Sequence, residues 1–218
     1  MTPHSTPEQQ QARNKVFDVI AGTRDIASHV IEAMREVPRH YFVLEQHQTE
    51  AYHDKPLPII SGQTISQITT VAMQTNWLGV GEGDKVLEVG SGSGYQAAVL
   101  HQMGCHVYSI ERVERLHQLA QDHMKRFDPQ HNITFIHGDG YAGLPHEAPF
   151  DAIVVTCGAP EMPEQLKQQL AIGGRMVIPV GAPDQEMTIV TRIDDTTYEI
   201  ENVGAFVFVP MLKGTSRY

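Results

Sequence analysis

The chain has 218 residues, 41% of them hydrophobic, with a formal net charge of -10 and a sequence pI near 5.6. That length fits one large core, and the acidic balance, with no basic run longer than Lys125-Arg126, argues against a nucleic-acid partner. The polar stretch 1–11 lacks a basic start and an apolar segment, and no apolar run approaches a membrane span, so a soluble, cytoplasmic protein with no membrane partner is expected. In chain order, residues 7–21 predict a helix stopped at Gly22. Ile26, Val30, Ile31, Met34 and Val37 then recur at helical spacing until Pro38, which completes an N-terminal helical cap over 1–43. Residues 44–66, with Pro56, Pro58 and Gly62, read as a long functional loop, and a helix is expected from Ser66 to Leu78. Strand-like apolar runs follow at 85–89, 106–111, 132–137, 150–156 and 175–180, separated by helical stretches near 94–103, 113–126 and 163–171. This rhythm predicts an α/β, doubly wound, Rossmann-like parallel sheet with helices on both faces. The tail 187–210 alternates as antiparallel strands broken at Asp194-Asp195. With no repeat or composition shift, one domain over 1–218 is expected, with a cofactor-binding core at 67–181 and C-terminal strands at 182–218.

Residues 86–95 read V-L-E-V-G-S-G-S-G-Y, an apolar strand ending in Gly90, Gly92 and Gly94 just before a helical pattern. Glycine lets the chain turn sharply there and aim free N–H groups at a ligand. A dinucleotide loop needs glycine where Tyr95 stands, which disfavours a nicotinamide-dependent dehydrogenase. The shorter spacing suits a cofactor without a pyrophosphate, with S-adenosyl-L-methionine the leading candidate. In such sheets ligands bind beyond the carboxyl ends of the strands. Glu111 ends the second strand about 20 residues after the glycine turn, where a carboxylate accepts hydrogen bonds from ribose hydroxyls. Asp139, in H-G-D-G, is placed to accept the exocyclic amine of adenine, and Gly140 permits close approach. Glu88 is expected to brace the glycine loop or reach the methionine end of the cofactor, unless it is merely an exposed strand residue. The two cysteines, Cys105 and Cys157, read as small buried thiols without a disulfide framework, and the 12 histidines show no metal-ligand spacing, so no metal is expected.

Several segments together resemble the protein-L-isoaspartate O-methyltransferase family. They are V-P-R-H-Y-F-V (37–43), A-Y-H-D-K-P-L-P-I (51–59), G-Q-T-I-S-Q (62–67), the glycine motif, G-D-G (138–140), A-P-F-D-A-I-V-V-T (148–156), Q-L-A-I-G-G-R-M-V-I-P-V-G (169–181) and F-V-P-M (208–211). The pair at 51–59 and 62–67 is the family's own signature; the glycine motif and G-D-G are shared by many methyltransferases. The resemblance implies transfer of a methyl group from S-adenosyl-L-methionine to the α-carboxylate of L-isoaspartyl residues in damaged proteins and peptides. It places the family's active-site serine on Ser66 and cofactor contacts on Gln63, Thr64, Ile65, Ser66, Ser91, Glu111, Arg112, Asp139 and Gly140.

The residues agree with that chemistry. A carboxylate is ionised at neutral pH and needs no general base before attacking a sulfonium methyl, so a site of hydroxyls and backbone suffices. Thr64 and Ser66 can hydrogen-bond the acceptor without competing as nucleophiles; alternatively, Ser66 is the N-cap of the following helix. The chain departs from the family at Ile68 and Thr69-Thr70, where proline and often an aromatic or histidine follow the motif, and at Val207, where many bacterial relatives carry arginine. A diverged methyltransferase for another acceptor and a noncatalytic cofactor-binding protein are the other readings.

Overall fold

A computed structural model describes residues 5–217; residues 1–4 and 218, which include the start of the expected helical cap, lie outside the described residues. Helix α1 (Pro7–Thr23) opens on a capping box in which Thr6 Oγ1 accepts from Gln9 N and Gln9 Oε1 accepts from Thr6 N. It passes through Gly22, since glycine weakens a helix without ending it. Helix α2 (Ser28–Glu36) buries Val30, Ile31, Ala33 and Met34 on one face, and Pro38 follows as the sequence requires. The segment read as an irregular loop contains two short 3-10 helices, Glu45–Glu50 and Ile60–Gly62, and a small hairpin, in which β1 (Leu57–Pro58) pairs antiparallel with β2 (Thr64–Ile65). Helix α3 (Ile68–Leu78) starts two residues later than the sequence pattern suggests.

The remaining elements are β3 (Lys85–Val89), α4 (Tyr95–Gln102), β4 (His106–Glu111), α5 (Glu114–Phe127), β5 (Thr134–His137), β6 (Phe150–Val155), α6 (Glu164–Gln168), β7 (Leu170–Val180), β8 (Gln185–Arg192) and β9 (Tyr198–Phe206). They form one seven-stranded sheet of order β5-β4-β3-β6-β7-β8-β9, parallel as far as β7 and antiparallel thereafter. The C-terminal strands therefore lengthen the main sheet. Two expectations are corrected by the pairing of β6 with β7. Strand β7 starts at Leu170, opposite Phe150, and the register then jumps so that Ala152 faces Arg175. Gly173-Gly174 forms this irregularity: a Cβ on Gly174 would lie 2.9 Å from Asp151 O. The strand expected at 175–180 therefore begins earlier and carries Gly173-Gly174 inside a bulge, and the helix expected near 163–171 ends at Gln168.

Alternation along the central strands divides the core between the two faces of the sheet. Val86, Val107, Ala152, Val154 and Val177 pack with α2, α3 and α4 residues on one face. Leu87, Val89, Ile153, Val155, Met176 and Ile178 pack with Leu166 of α6 on the other. The order of connection reverses at β3, with β4 on one side and β6 on the other, so a crevice opens beyond its carboxyl end. Among the described residues, no helix is long and apolar enough to cross a membrane and no group of three or more His, Cys, Asp and Glu could hold a metal ion. Both cysteines are unpaired, and burial pushes each thiol up to about 12.

Candidate active site

Beyond β3 the chain enters the glycine turn with Gly90 at φ +98°, and a Cβ there would stand 2.5 Å from Thr156 Oγ1 at the end of β6. The turn is held by Thr156, whose hydroxyl lies 2.6 Å from Gly90 O and 3.1 Å from Val89 O. Gly94, at φ +84°, serves helix packing instead. It precedes α4, and a Cβ would press on the Ala120 backbone of α5 at 3.3 Å. Gly90, Ser91 and Gly92 line a cleft that is open to solvent, whereas Gly94 packs helix against helix.

Two carboxylates from adjacent strands face this cleft. Glu111 is 5% exposed; Oε2 accepts from Gly92 N at 3.0 Å and Oε1 from Val113 N at 2.9 Å. It both fixes the glycine turn and keeps further lone pairs for a ligand hydroxyl. Glu88 is fully buried, which excludes the exposed-strand alternative. Ser109, its register partner on β4, donates to Glu88 Oε2, and Ser91 Oγ lies 2.5 Å from Ser109 Oγ. Glu88 Oε1 has no hydrogen-bond partner, although it is buried and its residue lines the cleft. An orphaned carboxyl oxygen is costly to bury, so its place in the cleft wall fits a ligand that brings a polar group to it.

Burial raises the Glu88 carboxyl to about 8; the Ser109 hydrogen bond opposes this and the Glu111 charge adds to it. Between 4.5 and about 8 the folded protein thus holds a proton that the unfolded chain releases. Stability falls as pH rises through that window. We expect Glu88→Gln to flatten this decline and to melt above the parent protein at pH 9, checked by thermal melts from pH 5 to 9. A parent profile that is equally steep with and without Glu88 would contradict this.

The remaining wall is built from distant segments. Gly140 approaches closely, since a Cβ there would meet Val89 Cγ1 at 2.5 Å. The C-terminal segment returns across the sheet end through Gly158 N to Val209 O at 2.8 Å and Met211 N to Gly158 O at 2.7 Å. This brings Val209, Pro210, Met211 and Leu212 into the lining. Arg112 Nε donates to Gly214 O at 3.2 Å and Ser216 N to Arg112 O at 2.8 Å. Asp139 accepts from Tyr141 N at 2.9 Å and Gly214 N at 2.7 Å. On the facing side, β2 and the residues after it contribute Gln63, Thr64, Ile65 and Ser66. Ser66 does not cap α3: Gln67 holds the cap position, and the Thr69 amide is taken by Asp54.

Gln63, Thr64, Ile65, Ser66, Glu88, Gly90, Ser91, Gly92, Glu111, Arg112 and Gly140 thus line one cleft, while Gly94 and Asp139 do not. Sequence reasoning passed over Ser109, whose signal was a hydroxyl inside an apolar strand, and Thr156, which ends the matched run 148–156. It also passed over the lining role of 209–212 and the anchor at Asp54.

A doubly wound sheet with a glycine turn, a buried glutamate on each of two neighbouring strands and a hydroxyl-bearing hairpin across the cleft is an arrangement suited to a nucleoside-cofactor methyltransferase. The family model for protein-L-isoaspartate (D-aspartate) O-methyltransferase matches residues 11–216. A protein-L-isoaspartate O-methyltransferase of Flavobacterium psychrophilum is 46% identical over 209 residues, covering 95% of this chain and 97% of that protein. One from Halorhodospira halophila is 46% identical over 207 residues, covering 94% and 93%. Among solved structures, a protein-L-isoaspartate O-methyltransferase superposes with a TM-score of 0.83 at 29% identity, over 91% of this chain and 65% of the other. A Plasmodium falciparum protein assigned to the same activity, solved in complex with S-adenosyl-L-homocysteine, superposes with a TM-score of 0.80 at 26% identity, over 94% and 99%. The chain belongs to the protein-L-isoaspartate (D-aspartate) O-methyltransferase family.

Proposed function

We propose that this chain is a protein-repair methyltransferase that moves a methyl group from S-adenosyl-L-methionine to the α-carboxylate of L-isoaspartyl residues in damaged proteins and peptides. The observation that carries the reading is the meeting, in one cleft, of the glycine turn and its two carboxylates with the Thr64 to Ser66 rim. When bound, the cofactor supplies an electrophilic methyl on a sulfonium. Glu111 is suited to the ribose hydroxyls, and the unpartnered Glu88 Oε1 to the methionine end. Gly90, Ser91 and Gly92 offer backbone close by, and Gln63 and Ile65 close the cleft from the hairpin side. Asp139 does not reach the cleft itself; it supports the wall beside Gly140 by accepting from Tyr141 N and tethering Gly214. Arg112 supports the same wall through its bond to Gly214 O.

The acceptor carboxylate arrives ionised, so the protein has only to align it and exclude water. No histidine or lysine lines the cleft among the described residues. Half-buried Ser66 and exposed Thr64 provide hydroxyls at the rim, where they orient the acceptor. A single domain suits the continuous sheet, and a cytoplasmic location belongs to the same reading.

The test pairs an isoaspartyl peptide with its aspartyl counterpart and radiolabelled cofactor. The isoaspartyl peptide is expected to gain a base-labile ester and the other none, because the isoaspartyl carboxylate hangs directly from the main chain, whereas the aspartyl carboxylate stands one methylene further out and so out of line with the sulfonium. Equal labelling, or label stable to mild alkali, points to another acceptor and overturns the proposal. Ser66→Ala is expected to lower turnover while cofactor affinity stays within about tenfold, since its bond acts on the reacting group.

A further inference from the structure

The hairpin that carries Thr64 and Ser66 to the cleft is tied down outside it. Helix α3 begins just after Ser66 and Gln67, and no side chain of the Gln67 cap position meets its first N–H groups. A residue fifteen positions upstream does: Asp54 Oδ1 accepts from Thr69 N at 2.8 Å. Its Oδ2 accepts from Thr69 Oγ1 at 2.6 Å and from Gln67 Nε2 at 3.1 Å. A carboxylate is well suited to a helix N-terminus, where free amides and the helix dipole both favour it. The Thr69 hydroxyl bond exists because this chain has threonine there.

The turn that holds Asp54 is clamped from below. Arg39 is fully buried; its Nε donates to Ala51 O at 2.8 Å and its Nη2 to Lys55 O at 3.4 Å, the carbonyls that flank Asp54. Its guanidinium lies 5.3 Å from the centre of the Tyr95 ring, and Tyr95 lines the cleft. Between Lys55 and Ser66 the chain is the β1–β2 hairpin, paired Leu57 with Ile65 and Pro58 with Thr64. Both ends of the hairpin therefore meet at Asp54, with the turn held by Arg39 on one side and α3 on the other.

We infer that Asp54 is a positioning residue for methyl transfer: by joining its turn to Gln67 and Thr69 it fixes the base of the 55–66 hairpin and with it the aim of Thr64 and Ser66. This rests on the proposed acceptor role of those two hydroxyls. Asp54 itself is exposed and does not line the cleft, so replacing it leaves the core and the cofactor wall filled.

The experiment measures steady-state methylation of the isoaspartyl peptide, cofactor affinity and amide hydrogen exchange in Asp54→Ala, Asp54→Asn, Thr69→Val and Ser66→Ala. Asp54→Ala is expected to lose about 10- to 100-fold in kcat/KM for the peptide, the scale of a small misplacement at a reacting centre. Its cofactor affinity should fall by less than kcat/KM does, because Gln63 and Ile65 of the same segment also close the cleft, and the Thr69 amide should lose protection. Asp54→Asn keeps one acceptor and should recover part of the loss. Thr69→Val removes one bond of three and should lose about threefold, which keeps the test available if Asp54→Ala does not fold. A simple helix cap would lower the melting temperature and leave kcat and KM per folded molecule unchanged. That result, or a cofactor affinity that falls in step with kcat/KM, overturns the inference. Unchanged turnover in Ser66→Ala overturns the Ser66 role and leaves the Asp54 inference resting on Thr64, where it is still decided by peptide kcat/KM and Thr69 amide exchange in Asp54→Ala.

Discussion

Replacing Glu111 with alanine is expected to weaken S-adenosyl-L-methionine binding by about 1.5–3 kcal/mol, the range for a hydrogen bond to a charged group. That corresponds to roughly 10- to 150-fold in affinity. The side chain acts twice. Its carboxylate faces the cleft, and the same two oxygens accept the amides of Gly92 and Val113. Val113 is only 5% exposed, so its amide loses its acceptor with little water to replace it. A stability loss of about 1–3 kcal/mol is expected in parallel. Titration calorimetry with the cofactor, with thermal melts as the folding control, checks both effects. Affinity equal to that of the parent protein would remove Glu111 from the ribose position.

Gly90→Ala is expected to cost more than any other single methyl added to the glycine turn. At φ +98° an L-residue is strained by about 1–2 kcal/mol, and the new Cβ would sit 2.5 Å from Thr156 Oγ1. Thr156 cannot simply turn away, because its hydroxyl bonds to Val89 O and Gly90 O. The turn must shift, which misplaces the cleft wall and is expected to reduce cofactor affinity by about 100-fold. Gly83→Ala provides the control: φ is +88° there, but nothing lies within 4 Å of the added Cβ. It should show the strain of about 1–2 kcal/mol alone, with unchanged cofactor affinity. Equal effects at the two positions would mean that the contact with Thr156 is relieved without moving the loop.

Local pattern was sufficient where a residue's role depends on its neighbours in sequence. The β3 and β4 strands, the glycine turn and the alternation of helices with strands were legible because apolar periodicity and glycine placement are short-range signals. Glu111 was placed for the same reason, since an acidic residue at the end of the strand after a glycine turn points at the crevice. The bulge in β7 was not legible, because Gly173-Gly174 becomes part of a strand only when Phe150 and Ala152 arrive to pair across it. The state of Glu88 needed the register: only when Ser109 lies opposite it, inside a sheet covered on both faces, does the carboxyl become buried and raised to about 8. Asp139 shows the limit of a motif, since its partner Gly214 is 75 residues away.

By itself, the sequence of this protein determined its class of fold and the glycine turn, because those follow from hydrophobic spacing and from residue types at fixed offsets, and its family through the resemblance of the segments at 51–59 and 62–67. Tertiary structure alone decided which oxygen is left without a partner, which carboxylate caps α3 and how 209–212 close the cleft. Each of these depends on groups brought together by packing over long chain separations, where no local periodicity records the contact.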